Sequence, residues 1–317
     1  MMNRTLPMAV VIVLSLAAAA AAQSGLPAGA VEFPPVRSSS DQQAMRIAQT
    51  GNAAALGAFA AQWVRAEPRA ANAWFYDGLA AELNGTKAWA IDDYRHALTL
   101  EPGQGASTFG LGRALFSLNK DLEAIEPLRQ ATIAYPRNSR IWADYGLVLG
   151  SANRIQDAAA ALQRSVTLDP GNAYHAGELA DAYAAIRQYA RAIPLYAQAS
   201  RKTPWDDANV TWLGNLGQAY DLSGNYAQSI QVLQATLRYT PNDADVWEGL
   251  WDAYLHIGDL THAAQAKATV ARLTAPPPRP PDDPATRFSR IAASIARQQH
   301  ENYLHSTGQL NLNEHLP

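Results

Sequence analysis

The stretch Ser139–Pro170, SRIWADYGLVLGSANRIQDAAAALQRSVTLDP, decides the fold. It reads as two short amphipathic helices, a turn between them and a proline stop. Trp142, Tyr145 and Leu149 recur at helical spacing on the first segment, and Ala158, Leu162 and Ser165 on the second. Gly146 leaves room for the two helices to approach. Asn153 suits the left-handed residue of the turn between them. Pro170 forces its predecessor out of the helical region, so the second helix ends there.

The same unit extends outward in both directions. Pro68, Pro102, Pro136, Pro170 and Pro204 fall one every 34 residues. Upstream, Ala71–Pro102 carries Trp74, Gly78, Ala90, Tyr94 and Ala97, and Gly105–Pro136 carries Leu111, Gly112, Leu115, Ala124, Leu128 and Ala131. Downstream, Ala173–Pro204 carries Leu179, Ala180, Tyr183, Ala192 and Tyr196. The first unit, Asp41–Pro68, is the weakest. Asp41 is expected to cap a helix running through Gln49, with Leu56, Phe59 and Trp63 inward on a second helix. Beyond Pro204 the next proline is Pro241, so three residues enter near Trp205–Asp207, where a bend is expected. Two units follow, one with Leu216, Gly217, Tyr220 and Leu233, the other with Trp247, Leu250, Tyr254 and Ala263.

A chain of 317 residues, 48% hydrophobic and 17% charged, is globular in composition, and a repeat array accommodates it without one central core. The formal net charge of −3 gives no general attraction to nucleic acid or anionic membrane, and no lysine/arginine block is present. With no cysteine, disulfides, thiolate metal sites and cysteine nucleophiles are excluded.

The ends differ from the array. Residues 1–22 combine Arg4, the apolar run PMAVVIVLSL and Ala20-Ala21-Ala22, which reads as a signal peptide cleaved before Gln23. A periplasmic or secreted location is expected; if uncleaved, residues 6–22 would anchor the chain in a membrane. Residues 23–36 read as a linker in extended conformation, residues 37–275 as the array, and 276–284, PPPRPPDDP, as a stiff spacer. Residues 285–317 read as a C-terminal helix and polar tail. Phe288, Ile291, Ala292 and Ile295 make the apolar stripe of this helix, and Arg287, Arg290 and Arg297 make it basic.

No catalytic arrangement stands out. There is no nucleophile elbow, phosphate loop or dinucleotide fingerprint, so neither an enzyme nor a cofactor is expected. His256/His262 and His300/His305 are six and five residues apart, which does not put either pair on one helical face, so no metal site is expected.

The phased Trp142-x-x-Tyr145-Gly146-x-x-Leu149 with Ala158, Leu162 and Pro170, together with Leu216-Gly217-x-x-Tyr220, resembles the tetratricopeptide-repeat family. The resemblance covers about Arg37–Ala275. It implies an all-α, right-handed superhelical solenoid of about seven helix-turn-helix repeats. It also implies a concave groove lined by the first helix of each unit. Mapped onto this chain, Phe75, Phe109, Arg113, Phe116 and Arg140 give one half of that groove aromatic and basic character. Asp181, Asp221, Asp245, Glu248 and Asp252 make the other half acidic. Chaperone-binding members use a lysine/asparagine clamp for a terminal carboxylate, and no such set occurs here. The expectation is a non-enzymatic scaffold in an exported compartment, serving envelope assembly or secretion. It would bind a peptide or partner protein with apolar anchors and a basic segment, and no nucleic acid. The alternative is a self-assembling protein whose C-terminal helix docks on a neighbouring array.

Overall fold

A computed structural model describes residues 32–201 and 207–275. The expected signal peptide, the proline-rich spacer and the C-terminal helix lie outside the described residues, as does most of the inserted Trp205–Asp207 stretch. The described residues form fourteen α-helices in seven antiparallel pairs. These are α1 (Ser39–Gln49) with α2 (Ala53–Ala66), α3 (Ala71–Leu83) with α4 (Lys87–Leu100), and α5 (Gly105–Ser117) with α6 (Asp121–Ala134). Next come α7 (Ser139–Ser151) with α8 (Ile155–Leu168), and α9 (Ala173–Ala185) with α10 (Tyr189–Ala199). The series closes with α11 (Asp207–Leu222) with α12 (Tyr226–Thr236), and α13 (Ala244–His256) with α14 (Leu260–Thr274). No strand occurs among the described residues, and none of their helices is long and apolar enough to cross a membrane.

The proline ladder acts as expected at four rungs. The helices α2, α4, α6 and α8 each end two residues before Pro68, Pro102, Pro136 or Pro170, and the residue between, Glu67, Glu101, Tyr135 or Asp169, is a C-cap outside the helical region. The ladder also holds the next unit. Trp74, Trp142 and Trp247 each donate their indole N–H, at 2.9, 3.1 and 2.9 Å, to the carbonyl of Pro68, Pro136 and Pro241. In the fifth and sixth units the second helix is shorter, 11 residues, and ends five residues before its proline. There Ser200 and Thr236 bond back to carbonyls of the preceding turn, Ala197 and Val232, which competes with helix continuation.

Within each pair the small residue of the first helix meets the large residue of the second. A Cβ at Gly112, Gly146 or Gly217 would lie 2.7, 2.6 or 2.5 Å from a side-chain carbon of Leu128, Leu162 or Leu233. Glycine is therefore required by the close approach itself. The turn between helices is left-handed at Asn153, φ 61°, as expected, and in the fifth unit at Arg187, φ 59°, which no glycine or asparagine announced.

Alanines of the second helices, such as Ala90, Ala124, Ala158 and Ala192, are fully or almost fully buried. They let the next unit close on the stack. One cluster of buried side chains runs from Ala44 to Val148 and a second from Ala143 to Ala219. The second cluster continues past the inserted residues. Trp212 of α11 lies over Gly177 of α9, where a Cβ would come 2.1 Å from the ring, so packing is preserved across the slip in the repeat.

The first helix is capped three residues earlier than the sequence suggests. Ser38 is the N-cap of α1, and Asp41 sits in the first turn, accepting from the Arg37 N–H at 2.8 Å and the Ser38 hydroxyl at 2.8 Å. This arrangement resembles a capping box with a shorter acid.

Candidate functional site

Each first helix touches the first helix of the next unit, from α1 to α3 and onward to α13. That row of helices is one face of the stack, and the sequence-predicted groove residues all belong to it. Their side chains, however, divide into three groups with different environments.

The aromatic and basic half is mostly internal. Phe75 and Phe109 are 1% and 3% exposed, and Phe75 meets the Tyr76 ring edge-on at 5.1 Å. They are core residues and are not presented to a ligand. Burying each ring contributes about 2 to 3 kcal/mol, more than exposure on a groove wall would retain. Phe116 is partly buried against the same cluster. Arg113 is largely buried; it donates to Glu82 of the preceding unit at 2.6 Å and lies 5.5 Å from the Phe109 ring centre. Arg140 pairs with Asp144 one turn along α7 at 2.8 Å. Both arginines are thus engaged within the array, Arg113 in a largely buried pair and Arg140, 37% exposed, in a partly exposed one.

Asp181 is also internal. Its carboxylate is 6% exposed and accepts from the Tyr196 hydroxyl at 2.6 Å, the Asn215 amide at 3.0 Å and the Trp212 indole at 3.2 Å. Burial pushes this carboxyl up to about 6, against the three donors, which lower it.

The remaining acids form the accessible group. Asp245, Glu248 and Asp252 are exposed on α13, and Asp221 at the end of α11 is half-buried. Among the described residues, neither Asp245 nor Glu248 has a basic partner. Asp221, Asp252 and His256 bring one ligand atom each to within 4.8 Å of one another, the one such grouping among the described residues. Burial first, and then the facing Asp252, pushes the Asp221 carboxyl up to about 7. His256 stacks on Tyr226 at 4.4 Å and bonds the Asp252 carbonyl through Nδ1 at 2.9 Å. The set joins two different units, so histidine spacing along one helix could not reveal it.

Residues 23–36 read from sequence as an extended linker, but the described part, with Arg37, is a strap, Glu32–Arg37, held against the first units of the array. The Pro35 carbonyl accepts from the Asn72 amide at 3.1 Å, and the Phe33 ring stacks on Tyr76 at 6.2 Å. Glu32 accepts from the Asn138 amide, and the Arg37 guanidinium grips Glu101 through two bonds of 2.7 Å. Arg37 holds the Glu101 carboxyl below its usual range. Beneath, Asn72 also donates to Asp41 at 2.5 Å and accepts from Gln104 at 2.7 Å, so a buried polar chain crosses three units.

Family models described as "Tetratricopeptide repeat" match residues 187–250, 90–139 and 109–173. This chain is a tetratricopeptide-repeat protein. Its repeat array has the fold of several solved structures. The Pseudomonas aeruginosa pilF protein superimposes with a TM-score of 0.55 at 19% identity, covering 65% of this chain and 93% of that one. A tetratricopeptide repeat protein from Parabacteroides merdae gives 0.53 at 16% identity, covering 65% and 81%. A chain of the APC/C hetero-tetramer Cut9–Hcn1 gives 0.51 at 20% identity, covering 73% of this chain and 45% of that one. No curated protein matches the sequence significantly. Tetratricopeptide-repeat arrays generally bind protein partners and are generally non-enzymatic, which makes this chain an interaction scaffold at that level of description.

Proposed function

We propose that this tetratricopeptide-repeat protein is a non-enzymatic scaffold in an exported compartment, periplasmic or secreted, that holds a partner polypeptide on the acidic end of its first-helix row. The carrying observation is the exposed set Asp245, Glu248 and Asp252, of which Asp245 and Glu248 have no basic partner among the described residues, while Arg113 and Arg140 are already paired with Glu82 and Asp144 of the array. A face of this kind favours a basic segment and supplies orientation and on-rate through charge. The apolar anchors expected from Phe75 and Phe109 form no part of this reading, since both rings are core.

Export rests on residues 1–22, read from sequence. Sequencing the N-terminus of the chain isolated from the expressing cells should return Gln23 as the first residue. Partner capture from an envelope extract tests the acidic face. Changing Asp245, Glu248 and Asp252 together to alanine should reduce capture at least tenfold at low salt and leave the helical content unchanged. Unchanged capture removes this face as the binding surface.

A further inference from the structure

The strap Glu32–Arg37 adds, to the packing of Phe33 against the first core cluster, specific polar contacts of the kind a recognition site makes. Each chemical feature of the sequence EFPPVR except the valine has its own receptor. The carboxylate of Glu32 meets the Asn138 amide, Phe33 meets the Tyr76 ring, and Pro34 is buried. The Pro35 carbonyl meets Asn72, and the Arg37 guanidinium meets Glu101. These receptors are Asn72 and Tyr76 on α3, Glu101 at the end of α4 and Asn138 just before α7, so the strap runs along one edge of successive units. A diproline is stiff and extended before it binds, which lowers the ordering cost of docking.

Two features mark the receptors as a site. Asn138 caps α7 through its Oδ1, which accepts from the Arg140 and Ile141 N–H groups at 2.9 and 3.2 Å, and still points its amide at the strap. The Tyr76 hydroxyl is buried with no hydrogen-bond partner among the described residues, so the strap leaves part of the polar capacity beneath it unused. Val36 and Arg37 are exposed, and the strap's last residues do not anchor it through burial.

We propose that the edge formed by Asn72, Tyr76, Glu101 and Asn138 is a recognition site for an extended peptide of the class acid-aromatic-Pro-Pro-x-Arg. Residues 32–37 occupy it as a tethered stand-in that a partner segment of the same chemistry must displace. Tethering gives the strap an effective concentration on the order of millimolar, so a partner in trans binds weakly until the strap is loosened. This edge is separate from the acidic face of α13, so either reading can fail without the other.

The test uses the full chain and a labelled peptide, EFPPVR, followed by fluorescence anisotropy. Phe33→Ala removes the strap's ring and leaves the receptors intact. The peptide should bind this variant at least tenfold more tightly than the unaltered chain. Asn138→Asp provides a second arm. Aspartate still caps α7 but repels the Glu32 carboxylate, so a KFPPVR peptide should bind this variant at least tenfold more tightly than EFPPVR does. Equal binding of EFPPVR to the Phe33→Ala and unaltered chains, or none to either, overturns the proposal. Should Phe33→Ala lose its helical signal, the Asn138→Asp arm decides alone: preference for KFPPVR supports the site, and no preference overturns it.

Discussion

The Tyr196 hydroxyl donates to Asp181 Oδ1 at 2.6 Å, from the second helix of the fifth unit to the first. The same carboxylate also accepts from Trp212 and Asn215 of α11, so it ties the fifth unit to the sixth across the inserted residues. Asp181→Ala removes the acceptor of three donors in a buried place, and the cost is about 3 kcal/mol. Urea unfolding should show that loss, whereas Asp181→Asn, which keeps one acceptor oxygen and the shape, should lose roughly half as much. A loss under about 0.5 kcal/mol for alanine would mean that Asp181 is a surface residue after all.

Glycines in the first helices make opposite predictions according to the space around them. Gly146→Ala gains helix propensity of about 1 kcal/mol but drives a Cβ to 2.6 Å from Leu162, and overpacking of that kind costs about 1 to 3 kcal/mol. The expected net effect is destabilisation. At Gly214 the nearest atoms would be 3.8 and 3.9 Å away, so Gly214→Ala should raise stability by up to about 1 kcal/mol. Thermal melts of the two variants should move in opposite directions; a shift of the same sign in both would contradict the packing account.

What was legible in the sequence follows from what repeats. The helix pairs, the glycine contacts and the proline stops recur with the period, so each unit confirms its neighbour. The inward stripe of a first helix is different. It faces both the next unit and the open side of the row, and identity alone does not say which. Phe75 went to the core because the Tyr76 and Tyr94 rings pack on it, Phe109 because it joins the same buried cluster with Arg113 over its ring, and Asp181 because Trp212 covers Gly177 and brings its indole to the carboxylate. The contacts of the strap were invisible because an extended diproline segment has no periodicity, and its receptors are scattered from Asn72 to Asn138. The Asp221–Asp252–His256 group was invisible because two helices contribute to it.

Stability should fall as pH rises through the neutral range. Burial first, then Asp77 and Asp92, pushes the Asp93 carboxyl up to about 7. The unfolded value is about 3.9, so between about pH 4 and pH 7 the native state holds a proton that the unfolded chain has released. Stability therefore decreases across that window, and Glu178, whose carboxyl burial pushes up to about 8, carries the decrease on to about pH 8. Asp221 acts in the same direction. Acids held low by partners, Glu101, Glu126 and Asp259, act with the opposite sign below about pH 4.5, and His175, whose imidazole burial holds below its usual range, opposes part of the loss below about pH 6.5. The melting temperature should drop between pH 5 and pH 7.5, and Asp93→Asn should reduce the slope. An identical slope in the variant would show that Asp93 ionises normally.

Glu82 carries the corresponding link between the second and third units. It accepts from Arg113 at 2.6 Å through one oxygen and from the Tyr94 hydroxyl at 3.0 Å through the other. Arg113 and Glu82 retain 17% and 12% side-chain exposure, so solvent screens the pair in part, and its value lies between that of a surface bridge and that of a buried one. Removing the acid leaves a largely buried guanidinium and a buried phenol short of a partner. Glu82→Ala should therefore cost about 2 kcal/mol, and Glu82→Gln less, since its carbonyl still accepts from one of the two donors. A double-mutant cycle with Arg113→Met isolates the pair. Coupling of about 1 kcal/mol or more is expected, and additivity of the two changes would place the stabilisation in the packing of the arginine stem over Phe109 instead.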